Sequence, residues 1–198
     1  MAEITAQLVK ELREMTSAGM MDCKKALAES EGDIDKAVEL LRKKGLKNVS
    51  KRAEREASEG VVHSYIHGGG RIGVMIELNC ETDFVARNED FQSLAQEISM
   101  HIAWSNPSFL NREEVTADVL EKEKDVVRAQ LKPEQEKFAD KIIDGKLEKF
   151  YQENCLLEQL DAKNPESKQT IEDIINNVSA KVGEKVALRR FSRFELGS

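Results

Sequence analysis

At 198 residues the chain is long enough for one ordinary domain, or for one domain beside a small one, with a sizeable core. Its 30 basic and 37 acidic residues give a net charge of -7, a poor balance for a general nucleic-acid binder, whose phosphate contacts need clustered Lys and Arg. Charged residues make up 34% and aromatics 5%, which points to charged amphipathic helices around a modest core. Cys23, Cys80 and Cys155 are widely spaced, odd in number and without a CxxC pair, so they read as reduced thiols, signalling neither a disulfide framework nor a zinc site. The opening stretch MAEITAQLVKELRE carries both charge signs and no apolar core, so it does not read as a signal peptide. No apolar run approaches the roughly 20 residues that cross a bilayer. A cytoplasmic protein without membrane association is expected.

The first 45 residues read as three short helices. Leu8, Val9, Leu12 and Met15 share one face of the first, and the segment Thr16-Ser17-Ala18-Gly19 interrupts it. The second starts near Asp22 and carries Cys23, Ala26 and Leu27. A turn at Glu31-Gly32-Asp33 follows, with Asp33 as N-cap. Ile34, Ala37, Val38 and Leu41 then recur at helical spacing, and Gly45 fits the position just past that helix. Residues 42–56 are dense in Lys, Arg and Glu and read as an exposed helical or flexible connector.

At Gly60 the period changes. Val61 to His67 is rich in β formers, and Gly68-Gly69-Gly70 supplies a turn. Ile72, Val74, Ile76 and Leu78 then alternate with Gly73, Met75, Glu77 and Asn79, the pattern of a hairpin with one buried face. The glycines lack the GxxxxGK[ST] pattern of a phosphate loop. A helix opens at Asn88, carries Phe91, Leu94, Ala95, Ile98 and Ile102 as its apolar stripe, and ends at Asn106-Pro107. Two charged helices over 117–131 and 134–151 are broken at Lys132-Pro133 and share a thin stripe of Val119, Leu120, Val127, Phe138, Ile142 and Phe150. A projecting helical hairpin fits that composition. A last helix runs from Thr170 to Lys181 and stops at Gly183, and a strand from Val186 to Leu196 is irregular at Arg189-Arg190, where a bulge is expected. The fold class is therefore α+β: a helical module with its connector over 1–55, then a core domain over 56–198 with a three-stranded antiparallel sheet covered by helices.

Catalytic chemistry finds little support. His63 and His67 are four apart on a strand, a spacing that pairs metal ligands on helices. His101 stands alone on its helix and reads as a surface or packing residue. Cys80 has no motif pairing it with a histidine. No catalytic residue, metal ligand or cofactor is expected.

Between the strand ending at Leu78 and the helix opening at Asn88 lies an acidic loop. Glu81, Asp83, Glu89 and Asp90 would satisfy the helix dipole and repel a phosphate, which argues against direct nucleotide binding. The apolar pair Phe84-Val85 is the odd feature. Taken from its residues alone, Phe84 is best read as packing under its own sheet.

The segment Glu77-Leu78-Asn79-Cys80-Glu81-Thr82-Asp83-Phe84-Val85-Ala86-Arg87-Asn88 resembles the core signature of the elongation factor Ts family. The stretch from Leu12 to Leu27, LREMTSAGMMDCKKAL, is similar to that family's N-terminal signature, and the turn at Glu31-Gly32-Asp33 and the closing Arg193-Phe194-Glu195 extend the match along nearly the whole chain. The resemblance implies a nucleotide exchange factor for elongation factor Tu, acting by binding rather than covalent chemistry. It implies a three-helix module like the ubiquitin-associated fold, docking on Tu through Leu12, Met20 and Met21. It implies that Thr82, Asp83, Phe84 and Val85 enter near the magnesium site of Tu, with Phe84 as an apolar wedge, so that Mg²⁺ and then GDP are lost. Ser17 stands where the family usually has Gly, which implies a negative φ or slight strain there. Longer members carry two related halves of the core and this chain carries one, so a homodimer is expected. The competing reading is an adaptor module fused to a structural domain, and a thiol or metal enzyme is more distant. The loop discriminates, since an adaptor has no need of an acidic loop bearing an apolar wedge.

Overall fold

A computed structural model describes residues 4–16 and 18–197. Ser17, and with it the expectation for its φ, lies outside the described residues. In chain order the helices are α1 (Ala6–Thr16), α2 (Met20–Glu29), α3 (Ile34–Arg52), α4 (Asp83–Ala86), α5 (Glu89–Ser105), α6 (Ala117–Gln130), α7 (Ala139–Asn154) and α8 (Ile171–Val182). The strands are β1 (Glu59–His67), β2 (Ile72–Cys80) and β3 (Val186–Glu195), in spatial order β1-β2-β3. This is the expected α+β class with an antiparallel sheet. Two compact units emerge, each drawing on distant stretches of sequence: Met1–Gly60 with Asn79–Gln92 and Ile175–Ala187, and Val61–Leu78 with Ser93–Ile174 and Leu188–Ser198.

In the first unit, Val9, Leu12, Cys23, Ala26, Leu27, Ala37 and Leu41 form the core of α1, α2 and α3. The Asp33 carboxylate accepts the Lys36 N–H at 3.0 Å and caps α3 as expected. Glu31 and Gly32 take positive φ (54° and 89°) to make the turn before it. Leu12, expected as a docking contact, is fully buried within this core. Met15 lies off the buried stripe and is exposed. The helix α3 does not stop at Gly45 but continues to Arg52. Neither a proline nor a left-handed residue breaks the Lys-rich run, and a helical Gly costs only about 1 kcal/mol. A Cβ at Gly45 would lie 3.5 Å from the Ala180 Cβ of α8. Arg52 donates to the Ser179 carbonyl at 3.2 Å, holding the end of α3 to α8.

In the second unit, β1 and β2 form the expected hairpin, its turn made by Gly68, Gly69 and Gly70 with φ of 62°, 67° and 92°. Val74, Ile76 and Leu78 are buried and Met75 is exposed, the alternation read from sequence. On the other side of β2, the Leu196 N–H donates to the Arg71 carbonyl at 2.9 Å, and Arg189 and Arg190 both reach Glu77, at 2.8 and 2.6 Å. Burial along β3 changes phase at these arginines: Val186 and Leu188 are buried before them, whereas Phe191 and Arg193 are the more covered positions after. An extra residue in the strand, as in the expected bulge, produces such a shift. The α5 stripe of Phe91, Leu94, Ala95, Ile98 and Ile102 is wholly buried. His63 lies 3.1 Å from Gln96 and Arg193 donates to the Ala103 carbonyl, so α5 covers one face of the sheet. Asn106 adopts a left-handed φ of 48° and Pro107 follows, ending α5 where expected.

The pair α6 and α7 is joined by a 3-10 stretch, Pro133–Phe138. Val127 is buried, but Phe138 is exposed and Ile143 is buried rather than Ile142. With so thin a stripe, a one-residue shift of face leaves little trace in the sequence. Arg112 ties α7 to the following turn through Glu148 at 2.7 Å and Glu158 at 2.6 Å, its guanidinium 4.3 Å from the Tyr151 ring centre. Thr170 and Asp173 cap α8 reciprocally at 3.1 Å. Gly183, with φ of 81°, ends it.

Candidate functional site

The loop between β2 and α5 is not irregular. Thr82 is an extended N-cap (φ -132°, ψ 155°) whose hydroxyl accepts the Val85 N–H at 3.5 Å, and the single turn α4 follows. The signal was present in the sequence, a Thr followed by an acidic first turn, but it is easily passed over in a segment this short. The Glu184 carboxylate, just past Gly183, meets the loop. It accepts the backbone N–H of Glu81 at 3.1 Å, that of Thr82 at 3.0 Å and the Thr82 hydroxyl at 2.7 Å. Nothing in the sequence marked Glu184.

Glu81 does not surround the start of the helix as expected. It turns back, accepting the Lys185 N–H at 2.6 Å and the Arg55 guanidinium at 3.2 Å. The Lys185 amide, and then Arg55, hold its carboxyl below the usual carboxylate range against the opposing effect of burial. The Lys185 ammonium donates to the carbonyls of Ala53 and Arg55 at 2.7 and 2.8 Å. The end of β2, the turn after α8 and the end of α3 thus form one hydrogen-bonded block.

On this block Phe84 is 80% exposed, which overturns the reading of it as a residue packed under its own sheet. The geometry explains why. Ala86 is the buried residue of α4. Two positions along a helix are roughly 200° apart, so burying Ala86 turns Phe84 outward. Asp83 pairs with Arg87 at 2.6 Å, one turn on, and Asp90 with Lys181 at 2.6 Å. Val85 is partly covered. The structure therefore gathers Thr82, Asp83, Phe84 and Val85 on one fixed turn, with Phe84 alone fully presented.

Met20 and Met21 open α2 and are 60% and 65% exposed. His67 lies 2.8 Å from the Tyr65 hydroxyl, and no cluster of His, Cys, Asp or Glu able to hold a metal occurs among the described residues. Cys80 donates its thiol to the Thr82 carbonyl at 3.1 Å. Burial, aided by Glu184, pushes that thiol up to about 11. Such a group is packed and protonated at neutral pH rather than nucleophilic. His101 is buried with Nε2 2.9 Å from Gln159, and burial pushes its pKa below the ordinary value. It lines a cleft of about 590 Å³ with Trp104, Gln159, Leu160 and Thr170, which helical periodicity alone did not reveal.

Taken together, these features define an α+β protein that displays a hydrogen-bonded, outward-facing turn. The chain matches the family model described as Elongation factor TS over residues 2–198. An elongation factor Ts of Desulforamulus reducens is 60% identical over 199 residues, covering 100% of this chain and 91% of the relative. Relatives of the same name from Caldanaerobacter subterraneus and Fervidobacterium nodosum are 55% and 56% identical, each matching 98% of this chain and 97% and 99% of their own lengths. The chain belongs to the elongation factor Ts family. No helix among its described residues is long and apolar enough to cross a membrane.

Proposed function

We propose that this chain is a guanine-nucleotide exchange factor for elongation factor Tu in translation elongation, acting in the cytoplasm by binding alone. One observation carries the reading: Phe84 stands 80% exposed on a turn fixed by hydrogen bonds on both flanks. A large apolar side chain held in water gains free energy only when a partner covers it. Burying a phenylalanine is worth about 1.5–3 kcal/mol, a factor of roughly 10 to 150 in affinity. If that contact forms only on nucleotide-free Tu, GDP affinity must fall by the same factor, by linkage. Asp83 accompanies Phe84 toward the magnesium site. Loss of Mg²⁺ removes the charge that neutralises the GDP phosphates, and release follows. The module over 1–55, resembling the ubiquitin-associated fold, docks on Tu through Met20 and Met21, and the core over 56–198 presents the loop. GDP release from purified Tu, followed with and without the protein, tests this reading: acceleration supports it and an unchanged rate contradicts it.

A second copy of the chain completes the core as a homodimer. Val62 and Ile66 on β1, Met75 on β2 and Phe194 on β3 are all exposed. By strand alternation Met75 faces away from the buried Val74, Ile76 and Leu78. Exposed apolar groups spread over all three strands of a sheet are what a covered interface supplies. Light scattering of the isolated protein is expected to give twice the chain mass, and a clean monomer contradicts the dimer.

A further inference from the structure

We propose that Glu184 is the positioning residue of the signature loop, and that the Thr82 hydroxyl serves this clamp within the chain instead of touching the partner; the inference rests on the exchange reading above. The turn α4 has four residues, far too few to be stable alone. Phe84, being exposed, contributes no packing that would hold it. The one bond inside the turn made by the cap hydroxyl is long, at 3.5 Å. The buried Ala86, the Cys80 thiol on the Thr82 carbonyl and the Gln92 amide on the Ala86 carbonyl help to seat the turn. The largest set of bonds comes from the Glu184 carboxylate, which takes two successive backbone N–H groups and the Thr82 hydroxyl at 2.7–3.1 Å. Hydrogen bonds to an ionised acceptor are about twice as strong as neutral ones.

Glu184 is itself well placed. The left-handed Gly183 reverses the chain before it, the Ser179 hydroxyl donates to its carbonyl, and Lys185 beside it is bound to Glu81 through its own N–H. The Thr82 hydroxyl donates its only O–H to Glu184 and accepts from the Val85 N–H, which leaves it no donor for a partner. A turn held in its bound shape before docking avoids the ordering cost that a flexible loop incurs at the encounter. Without the clamp, docking through Met20 and Met21 persists while the loop fails to enter in register.

The test follows GDP release from elongation factor Tu over a range of protein concentrations, with Phe84→Ala as reference. Glu184→Ala and Thr82→Val are each expected to lower the maximal rate about tenfold while moving the half-saturating concentration by less than about threefold. The double variant should be no slower than Glu184→Ala, since both remove one device, and Thr82→Ser should restore what Thr82→Val loses. Hydrogen exchange at the amides of Glu81 and Thr82 should quicken about tenfold in Glu184→Ala, with those of Ile76 and Leu78 unchanged. Thr82→Val keeps the side-chain shape and carries the test should Glu184→Ala unfold. A Glu184→Ala rate within about twofold of the parent, or additive losses in the double variant, beside a disabled Phe84→Ala, overturns the clamp and leaves the exchange reading intact. Should Phe84→Ala exchange normally, the exchange reading falls, and unchanged protection at Glu81 and Thr82 in Glu184→Ala then overturns the clamp separately.

Discussion

The backbone N–H of Lys185 donates to the Glu81 carboxylate at 2.6 Å, joining the segment after β2 to the residue that leads into β3. With Arg55 this bond lowers the carboxyl pKa in the folded state, and Arg189 and Arg190 do the same for Glu77. A depressed folded pKa contributes stability that is present above the unfolded value and lost as pH falls through the folded one. Glu172 has the opposite sign, since burial first and Asp173 second raise its pKa, so its ionisation costs stability as pH rises. The melting temperature is therefore expected to fall as pH drops from about 5 to about 3, and Glu81→Gln should flatten part of that slope. A slope unchanged by Glu81→Gln would show that the carboxylate adds nothing there.

Phe84 and Phe91 should behave as opposites. Phe84→Ala is expected to leave thermal stability within about 0.5 kcal/mol of the parent, because it vacates no core. Phe91 is fully buried, and Phe91→Ala should cost about 3–5 kcal/mol. Chemical denaturation of the two variants checks this, and a large loss in Phe84→Ala would return Phe84 to the core.

In the N-terminal module the same contrast separates Leu12 from the methionines. Leu12→Ala should destabilise the module by about 2–5 kcal/mol, as expected for a side chain at the centre of its core. Met20→Ala and Met21→Ala should leave the melt within about 0.5 kcal/mol of the parent while weakening association with Tu. Titration calorimetry with Tu reads the second effect, and an unaltered affinity in both removes them from the interface.

The thiols should be inert in the native protein. Cys23, Cys80 and Cys155 are all buried, and burial pushes Cys80 and Cys155 up to about 11. At pH 8 such a group is roughly one part in a thousand thiolate. A thiol-reactive dye should label the folded protein slowly and all three cysteines on unfolding. Rapid labelling of the native chain, or a linked pair of chains on a non-reducing gel, contradicts this burial.

Much of the fold was legible because it rests on strong periodic signals. The alternation from Ile72 to Leu78, the α5 stripe from Phe91 to Ile102, the Asp33 cap and the stop at Gly183 each appear where the pattern places them. What escaped depends on contacts distant in sequence. Gly45 reads as a helix stop until α8 is seen beside it, and Leu12 shares its stripe with Met15 although only Leu12 is buried. The loop was found by its motif, but its mechanics were not. Glu184 lies 102 residues from Thr82, and an isolated Glu after a Gly carries no local mark of what it holds.

The central claim is that an exposed Phe84, held on a fixed turn, weakens GDP binding by Tu. The most direct measurement is the rate at which a fluorescent GDP leaves Tu, with the parent protein and with Phe84→Ala at equal concentration. The account predicts strong acceleration by the parent and at least about tenfold less by the variant, the change that removing one buried phenylalanine contact allows. Equal acceleration by the two proteins, or none by the parent, would contradict it.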